Sequence, residues 1–290
     1  MNIFETQTDF ITRDPRTDQA IERAFTAETQ LARYEAWIPP QFLKDKSVLD
    51  LGCCLGAFGA YALSNGAKKY VGVEISKPLA AIADQNLTKY YGYLDNWDIV
   101  TDSCETFLEN NLEEYDYIII GGVLHAITNF LPVLTAMATC ANTIVIESIH
   151  PPISFLLPLI NEVGKLKGEE SYESLHKLML GVEYGYPFVS YNDNGKMMHH
   201  DNHEAVSNIL GILPSMGALK IIMNRLGYKE DIRGYNTLKK EYPEHYGFGK
   251  RFLLAFVRDS KAKPMSYSEL IDSEHKEIME WRDDNAKGTI

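Results

Sequence analysis

The sequence has few cysteines and no surplus of basic residues. Four of the 290 residues are cysteine, and no pair has the CxxC spacing, so neither a disulfide framework nor a zinc site is expected. There are 28 Lys and Arg against 40 Asp and Glu, which gives a net charge of −12. This balance argues against a protein that binds a duplex or tRNA, because basic side chains supply most of the affinity for phosphates.

The sequence also lacks a long apolar run and a secretory signal. The longest apolar stretch, 153–160, contains Pro158 and is far shorter than the roughly 20 residues that a membrane span needs. The amino-terminal residues MNIFETQTDF contain no basic segment followed by an apolar one. Because 45% of the residues are hydrophobic, the chain can bury a core. We therefore expect a folded cytoplasmic protein without a membrane partner.

Short apolar segments alternate with helical ones over the first half of the chain. The predicted strands are 48–51, 70–73, 99–101, 115–120 and 143–146, and the predicted helices are 15–36, 57–64, 78–91 and 130–140. The strands show no alternation of polar and apolar residues, which is typical of parallel strands buried on both faces. The order therefore predicts an α/β fold with a doubly wound, mostly parallel sheet.

The strand–helix pattern stops after residue 150 and resumes after residue 213. The interruption contains a predicted helix, 153–181, followed by an aromatic and polar loop, and long inserted segments are often lids or caps. The pattern resumes with a helix at 215–226 and strands at 230–235 and 251–257, which makes seven strands. The predicted organisation is an amino-terminal helical segment 1–45, an α/β core 46–150, an inserted cap 151–213, the remainder of the core 214–260, and a tail 261–290 with an amphipathic helix at 266–282.

The segment VLDLGCCLGA joins the first strand to the next helix through an acid and a glycine turn. Gly52 and Gly56 leave the backbone bare at the carboxyl edge of the sheet, where ligands of α/β proteins bind. Similar residues follow the next three strands: Glu74, then Asp102 with Ser103, then Gly121 with Gly122. A carboxylate after the second strand suits the two hydroxyls of a ribose, and an acid with a neighbouring N–H after the third suits an adenine edge. Four successive strand ends thus predict a nucleoside site.

These motifs resemble those of the class I S-adenosylmethionine-dependent methyltransferases over residues 47–148. Asp50, Gly52 and Gly56 match the family's first motif, Glu74 its second, Asp102 its third, and YDYIIIGGVL its fourth. The resemblance implies S-adenosyl-L-methionine as cofactor and a seven-stranded sheet whose last strand runs antiparallel. It implies these cofactor-binding residues: Asp50, Gly52, Cys53, Gly56, Glu74, Ile75, Asp102, Ser103 and Gly121. The sequence departs from the family at Cys54, where glycine is usual.

A nicotinamide dinucleotide-binding fold is the alternative interpretation of the same topology. Its fingerprint needs GxGxxG directly after the strand, whereas the glycines here are Gly52, Gly56 and Gly59. The carboxylate of Asp50 would repel a pyrophosphate but attract a sulfonium or ammonium group. Charge therefore favours the sulfonium cofactor.

The methyl acceptor is expected over the ends of the fourth and fifth strands, beneath the insertion. Methyl transfer needs a nucleophile held about 3 Å from the methyl group and a route for one proton. The candidate catalytic residues are His125, Glu147 and His150, although each could instead stabilise a turn or a helix start. The candidate substrate contacts are Tyr184, Tyr191, His199 and His200, although the tyrosines could equally pack in a core under the cap.

No metal is expected at this site. The cluster of His199, His200 and His203 fails the HExxH pattern because Ser207 stands at the second histidine, so contact with substrate or solvent is favoured over a transition metal. Magnesium in catechol-type enzymes is bound by acids after the fourth and fifth strands, and only Glu147 is available. The sequence also lacks the Asn/Asp-Pro-Pro-aromatic motif of DNA amino-methylating enzymes and the Pro-Cys nucleophile of cytosine-C5 enzymes.

Three functional hypotheses remain, and the leading one is methyl transfer to an oxygen or nitrogen atom of a small molecule. The second is modification of tRNA or another RNA, because residues 214–219 and 226–228 resemble a short stretch of the tRNA wobble-uridine carboxymethyltransferases, which use a modified form of the same cofactor. The third is a non-catalytic protein that only binds the cofactor. Basic residues cluster near the second resemblance, where solvated side chains are the ordinary interpretation: Lys220, Arg225, Lys229, Arg233, Lys239, Lys240, Lys250 and Arg251. The acceptor and the oligomeric state stay open.

Overall fold

The computed structural model describes most of the α/β core and parts of the remaining chain. The described residues are 2–10, 26–111, 113–124, 127, 130–149, 189–192, 197–198, 205–206, 210–214, 216–231, 233–246 and 251–272. The helices are α1 (Ile3–Thr6), α2 (Ala27–Trp37), α3 (Ala57–Ser64), α4 (Lys77–Tyr91), α5 (Cys104–Asn110), α6 (Phe130–Cys140), α7 (Met216–Arg225), α8 (Arg233–Glu241) and α9 (Pro243–Tyr246). Within these residues, no helix combines the length and the apolar character needed to cross a membrane.

The strands of the main sheet are β1 (Ser47–Leu51), β2 (Lys69–Glu74), β3 (Trp97–Thr101), β4 (Tyr115–Gly121), β5 (Ala141–Ile149), β10 (Tyr228–Asp231) and β11 (Arg251–Arg258). They form one sheet in the order β10-β11-β5-β4-β1-β2-β3. β1 to β5 pair in parallel, whereas β11 is antiparallel to both β5 and β10. Because β1 to β5 are parallel, their carboxyl ends lie along one edge of the sheet. From β1, the chain adds β2 and β3 on one side and β4 and β5 on the other. This confirms the predicted doubly wound α/β fold and its antiparallel last strand.

The central strands are buried on both faces, as their apolar sequences require. All five residues of β1 are buried, and Ile118, Ile119 and Ile120 of β4 have no exposed surface. Full burial of one such side chain stabilises a fold by roughly 1.5–3 kcal/mol. The sheet is therefore a rigid base, and the residues at its carboxyl edge have fixed positions.

Helix α2 is fixed in this core by a cap and by aromatic packing. The Thr26 hydroxyl oxygen accepts a hydrogen bond from the Thr29 N–H at 3.2 Å, which satisfies one of the unpaired amides at the helix start. The ring of Tyr34 lies 5.1 Å from that of Trp37 and 5.0 Å from that of Phe58 in α3, measured between centroids. The helix predicted at 15–36 is observed from Ala27 to Trp37. Residues 15–25 of that prediction lie outside the described residues.

Two elements of the core differ from the sequence prediction. The bounds predicted for the sixth strand, 230–235, were wrong. The observed strand β10 ends at Asp231, opposite Ala255 of β11. Residues Arg233–Glu241 form helix α8 instead. The sequence patterns also do not predict α5. That helix starts at a capping serine, because the Ser103 hydroxyl oxygen accepts a hydrogen bond from the Thr106 N–H at 3.0 Å.

Parts of the insertion form short strands where the sequence predicted a loop. β6 (Val189–Asn192) pairs antiparallel with β9 (Leu210–Leu213), and β7 (Met197–Met198) pairs antiparallel with β8 (Ala205–Val206). The helix predicted at 153–181 lies outside the described residues. In the tail, residues 267–272 are helical, and the rest of the predicted tail helix lies outside the described residues.

Candidate cofactor and acceptor site

Two buried carboxylates lie near the carboxyl ends of β1 and β2. Asp50 is 4% exposed and Glu74, the last residue of β2, is 7% exposed. The Tyr70 hydroxyl donates a hydrogen bond to Asp50 Oδ2 at 2.9 Å. Burial raises the pKa of Asp50 to about 7, against the opposite effect of the Tyr70 hydrogen bond. Since a nearby cation stabilises an ionised carboxyl group, Asp50 favours a positively charged ligand.

Glu74 holds the glycine turn in place with its side chain. Its Oε2 accepts a hydrogen bond from the Cys54 N–H at 3.0 Å, and its Oε1 accepts one from the Ser76 N–H at 3.0 Å. A carboxylate oxygen has two lone-pair positions, so each oxygen of Glu74 can accept a second hydrogen bond. This capacity fits the two ribose hydroxyls predicted for Glu74.

The turn between β1 and α3 uses left-handed backbone at three positions. The φ angles are 83° at Gly52, 51° at Cys54 and 79° at Gly56, a region that glycine enters without steric cost. A Cβ at Gly52 would also lie 2.1 Å from Cγ2 of Val123. Cys54 carries a side chain in this region, which costs on the order of 1 kcal/mol and gives a physical reason for glycine in the family it resembles.

Cys54 is expected to be the first of the four cysteines to react with iodoacetamide. Its side chain is exposed, whereas Cys53, Cys104 and Cys140 are buried. Burial also raises the pKa of Cys104 to about 12 and that of Cys53 well above its usual value, so both stay protonated and unreactive at about pH 8. Mass spectrometry after limited alkylation should find the label on Cys54, and S-adenosylhomocysteine should slow the reaction. Rapid labelling of a C54S variant would contradict this assignment.

The residues after β2 and β3 extend the same edge. Ile75 is 57% exposed and offers an apolar surface beside Glu74 for a planar group. Asp102 is half-buried, and its Oδ1 accepts a hydrogen bond from the Ser103 N–H at 2.8 Å. The Ser103 N–H predicted to read an adenine edge is therefore bonded to its neighbour. This hydrogen bond uses Oδ1 and not Oδ2 of Asp102.

The turn after β4 brings bare backbone to this edge. Gly121 lies opposite Glu147 in the register of β4 and β5. Gly122 has a φ of 76° and donates its N–H to the Glu147 carbonyl oxygen at 2.8 Å. A Cβ at Gly121 would lie 2.3 Å from Cη2 of Trp37, so α2 can pack here only because residue 121 is glycine.

Glu147 occupies the predicted place at the end of β5, but its carboxylate is buried and fully engaged. Arg33 donates from Nε to Oε1 at 2.9 Å and from Nη2 to Oε2, Arg251 Nη1 donates to Oε2 at 3.2 Å, and the Tyr246 hydroxyl donates to Oε1. Burial raises the pKa of Glu147, but the two arginines outweigh it, and the pKa lies below its usual value. Glu147 has no exposed surface. A buried carboxylate that stays ionised is a poor proton acceptor, so this geometry argues against the catalytic role predicted for Glu147.

The other predicted catalytic and substrate residues lie mostly outside the described part of the chain. This holds for His125, His150, Tyr184, His199 and His200. Tyr191 lies in β6, opposite Gly211 of β9. Cys53 turns its sulfur into the protein, where a Cβ at Gly72 would lie 2.9 Å from it, so only its backbone is placed to meet a ligand.

Arg33, Trp37 and Tyr246 lie at the β5 end of the candidate site, and no sequence motif marks them. Arg33 and Glu147 are 114 residues apart, and no local pattern reports a pair at that distance. The residue spacing in α2 does contain a signal that points to Arg33. The buried residues of α2 are Gln30, Arg33, Tyr34 and Trp37, the spacing of an inward-facing helix stripe, and an arginine on that stripe needs a buried acid as partner.

A cleft of about 530 Å³ lies between α2, α8 and the strands β4, β5 and β11. Its lining includes Ala36 of α2, Gly234 of α8, Tyr117 of β4 and Thr143 of β5. Tyr117 and Thr143 lie toward the amino ends of their strands. The lining also includes Trp37, which contacts Gly121, and Leu253, which lies opposite Glu147. The cleft and the carboxyl edge therefore share Trp37, whereas Asp50 and Glu74 do not line the cleft.

The charges at the edge fit a cationic nucleoside better than a metal or a pyrophosphate. No group of three or more His, Cys, Asp and Glu side chains within the described residues could hold a metal ion. Asp50 provides a buried carboxylate for a sulfonium or ammonium group, and Glu74 provides acceptors for hydroxyl groups. Gly52, Gly121 and Gly122, which carry no side chain, are half-buried beside these carboxylates.

The sheet order, with its antiparallel last strand, defines the α/β fold of the class I methyltransferases. Residues 49–143, from β1 to the start of β5, match the family model of the methyltransferase domain. This match confirms the resemblance to S-adenosylmethionine-dependent methyltransferases and supports S-adenosyl-L-methionine as the cofactor of this domain. The fold is also similar to a proposed S-adenosylmethionine-dependent methyltransferase from Listeria monocytogenes, with 14% identity, a TM-score of 0.51, and coverage of 80% of this chain and 98% of that one.

Curated relatives match a short part of the chain. The ribosomal protein L11 methyltransferase of Haemophilus influenzae is 39% identical over 74 residues, which is 26% of this chain and 22% of that protein. The ribosomal RNA large subunit methyltransferase I of Tolumonas auensis is 39% identical over 51 residues, which is 18% of this chain and 13% of that protein. The chain therefore spans about a fifth or less of the length of these relatives.

Proposed function

We propose that the protein transfers a methyl group from S-adenosyl-L-methionine to an oxygen or nitrogen atom of a small molecule, in the cytoplasm. The observation that carries this proposal is the pair of buried carboxylates, Asp50 and Glu74, at one sheet edge between glycine turns. Asp50 is 4% exposed with a pKa raised to about 7, so a cationic ligand is favoured there. Glu74 retains acceptor capacity for a ribose.

The chain's own residues bind and orient in this proposal. S-Adenosyl-L-methionine supplies an electrophilic methyl group on its sulfonium. Glu74 holds the 52–56 turn through the Cys54 N–H and would accept hydrogen bonds from the ribose hydroxyls, and Ile75 would pack against the adenine. Asp50 offsets the positive charge of the ligand. The ends of β4 and β5 would hold the acceptor, and in-line transfer would need its nucleophile at about 3 Å from the methyl group.

We keep His125 and His150 as the proposed proton acceptors. Tyr184, Tyr191, His199 and His200 are the proposed acceptor contacts on the insertion. Glu147 is reassigned from proton handling to holding this end of the site, because a carboxylate with a lowered pKa and no exposed surface cannot exchange a proton efficiently with a substrate.

RNA or ribosomal protein is the second candidate acceptor, favoured by the short matches to methyltransferases with those names. Two observations weaken it. Lys220 pairs with Glu230 at 2.9 Å and Lys229 pairs with Asp259 at 2.8 Å, which offsets part of the basic cluster. In the 214–219 stretch, Met216, Ala218 and Leu219 are buried, so their pattern reflects packing of α7. A small-molecule acceptor therefore remains the primary proposal.

A methyl-transfer assay distinguishes these acceptors. The protein is incubated with methyl-tritiated S-adenosylmethionine and, in separate reactions, with a low-molecular-weight metabolite fraction, total tRNA, or ribosomal subunits. We expect a labelled product that chromatography separates from S-adenosylmethionine to form only with the metabolite fraction, with E74A as the background control. Acid-precipitable label released by ribonuclease would replace the proposal with RNA methylation, and label released by protease would replace it with protein methylation. Tight cofactor binding without transfer to any of the three would favour the non-catalytic hypothesis.

A further inference from the structure

Helix α2 contacts the acceptor side of the site, although it lies outside the matched methyltransferase domain. We call Gly121, Gly122 and Glu147 the β4–β5 rim, because they stand at the carboxyl ends of those two strands. The indole of Trp37 meets this rim at Gly121, where a Cβ would lie 2.3 Å from Cη2. The benzene edge of the indole thus replaces a side chain at residue 121.

Arg33 links α2 to the other side of the rim. Its guanidinium carbon lies 4.4 Å from the centroid of a ring of Trp37, and its Nε and Nη2 donate to the two carboxylate oxygens of Glu147. The backbone of Glu147 in turn accepts the Gly122 N–H at 2.8 Å. One glutamate therefore joins α2 to both strand ends, through its side chain on one side and its carbonyl oxygen on the other.

The same carboxylate also accepts hydrogen bonds from Tyr246 in α9 and Arg251 in β11. The donors are the Tyr246 hydroxyl and Arg251 Nη1, the second at 3.2 Å. A planar guanidinium on a carboxylate fixes orientation as well as distance. Glu147 has no exposed surface, so these donors take the place of water around its carboxylate. The position of the rim therefore depends on these contacts.

We propose that Arg33 and Trp37 are positioning residues that hold the β4–β5 rim in place for the methionine part of the cofactor and for the acceptor. This inference rests on the proposed function. In the sheet order β5-β4-β1-β2-β3, the rim lies on one side of β1, and Glu74 and Asp102 lie on the other. Displacing the rim should therefore affect the methionine half of the ligand and leave the adenosine half unchanged.

Two ligands separate these halves. S-Adenosylhomocysteine carries both, whereas 5′-methylthioadenosine keeps the adenosine and lacks the amino acid. We expect R33Q and W37F each to weaken S-adenosylhomocysteine roughly tenfold, the cost of one misplaced hydrogen bond, and to change the dissociation constant of 5′-methylthioadenosine by less than about twofold. W37F removes the Cη2 atom that meets Gly121 and breaks no hydrogen bond, because no described residue forms one with Trp37 Nε1. Isothermal titration calorimetry measures both constants.

Arg258 provides a matched control, because it lies in β11 at the opposite end from Arg251. Its Nη2 donates to the carbonyl oxygens of Ala138 at 2.7 Å and Ala141 at 2.6 Å, at the start of β5. We expect R258Q to lower the thermal midpoint but to leave the ratio of the two dissociation constants unchanged. R33K keeps the positive charge but cannot form the bidentate contact with Glu147. Its ratio of the dissociation constants for S-adenosylhomocysteine and 5′-methylthioadenosine should lie between those of the wild type and R33Q.

Three results would overturn the inference while leaving the proposed function intact. The first is an equal loss of affinity for both ligands in R33Q and W37F, and the second is no loss for either ligand. The third is a change in the ratio for R258Q as large as that for R33Q. If the wild-type protein binds neither ligand, the proposed function fails first, and the inference fails with it.

Discussion

A Glu74→Ala variant is expected to bind S-adenosylhomocysteine about 10- to 150-fold more weakly than the wild type, a loss of about 1.5–3 kcal/mol. The change removes the charged acceptor proposed for both ribose hydroxyls. It also removes the oxygen that accepts the Cys54 N–H at 3.0 Å, so the glycine turn loses an anchor. Isothermal titration calorimetry on the folded variant measures the change, with circular dichroism as the check on folding.

Asp98 offers the matched control for Glu74. It is an exposed carboxylate on β3, paired in register with Val71, and it lies before the carboxyl edge. D98A removes the same charge from a neighbouring strand, so we expect its affinity to stay within about twofold of the wild type, as for an exposed charge outside the site. An unchanged affinity in E74A, or equal losses in E74A and D98A, would remove Glu74 from the site.

An Asp50→Asn variant is expected to be more stable than the wild type without ligand and to bind S-adenosylmethionine more weakly. Burial raises the pKa of Asp50 to about 7 in the folded protein, above the usual value of about 3.9 for an unfolded aspartate. The folded state therefore holds this proton more tightly, and stability is lost as the pH rises from about 4 through 7. Asparagine avoids that cost and can still accept the hydrogen bond from Tyr70.

The expected gain in D50N is up to about 4 kcal/mol of unfolding free energy at about pH 8, from a pKa difference of about three units, and it should shrink toward zero near pH 4. Urea unfolding of both proteins across this range measures it. For the wild type, affinity for S-adenosylmethionine should fall about tenfold from pH 8 to pH 6 relative to D50N, because one carboxylate becomes protonated. A variant that is no more stable at pH 8, or that binds as tightly as the wild type, would contradict the role of Asp50.

The sheet and one half of the site could be predicted from the sequence because their signals are local. The acid and glycines at residues 50–56 lie within one turn, and Glu74 follows directly from a buried strand. In such folds the carboxyl ends of parallel strands meet at one edge, so residues far apart in sequence can be placed together. The match over residues 49–143 covers the same local signals.

The other half of the site depends on pairings that no local pattern contains. Glu147 has the residue type of a proton acceptor and stands at the expected strand end, but its chemistry is decided by Arg33, Tyr246 and Arg251, which come from three other segments. The same limitation applies to β10 and α8. Their boundary depends on where β11 stops pairing, at Asp231 opposite Ala255, and the sequence of β10 alone does not contain that information.

The most direct test of the central claim is a crystal structure of the protein with S-adenosylhomocysteine. We expect density for the ligand along the carboxyl edge of the sheet between Asp50 and Gly122, with both ribose hydroxyls within hydrogen-bonding distance of Glu74 and the adenine against Ile75. A ligand bound elsewhere, or an edge without ligand at saturating concentration, would contradict the assignment of this edge as a sulfonium nucleoside site.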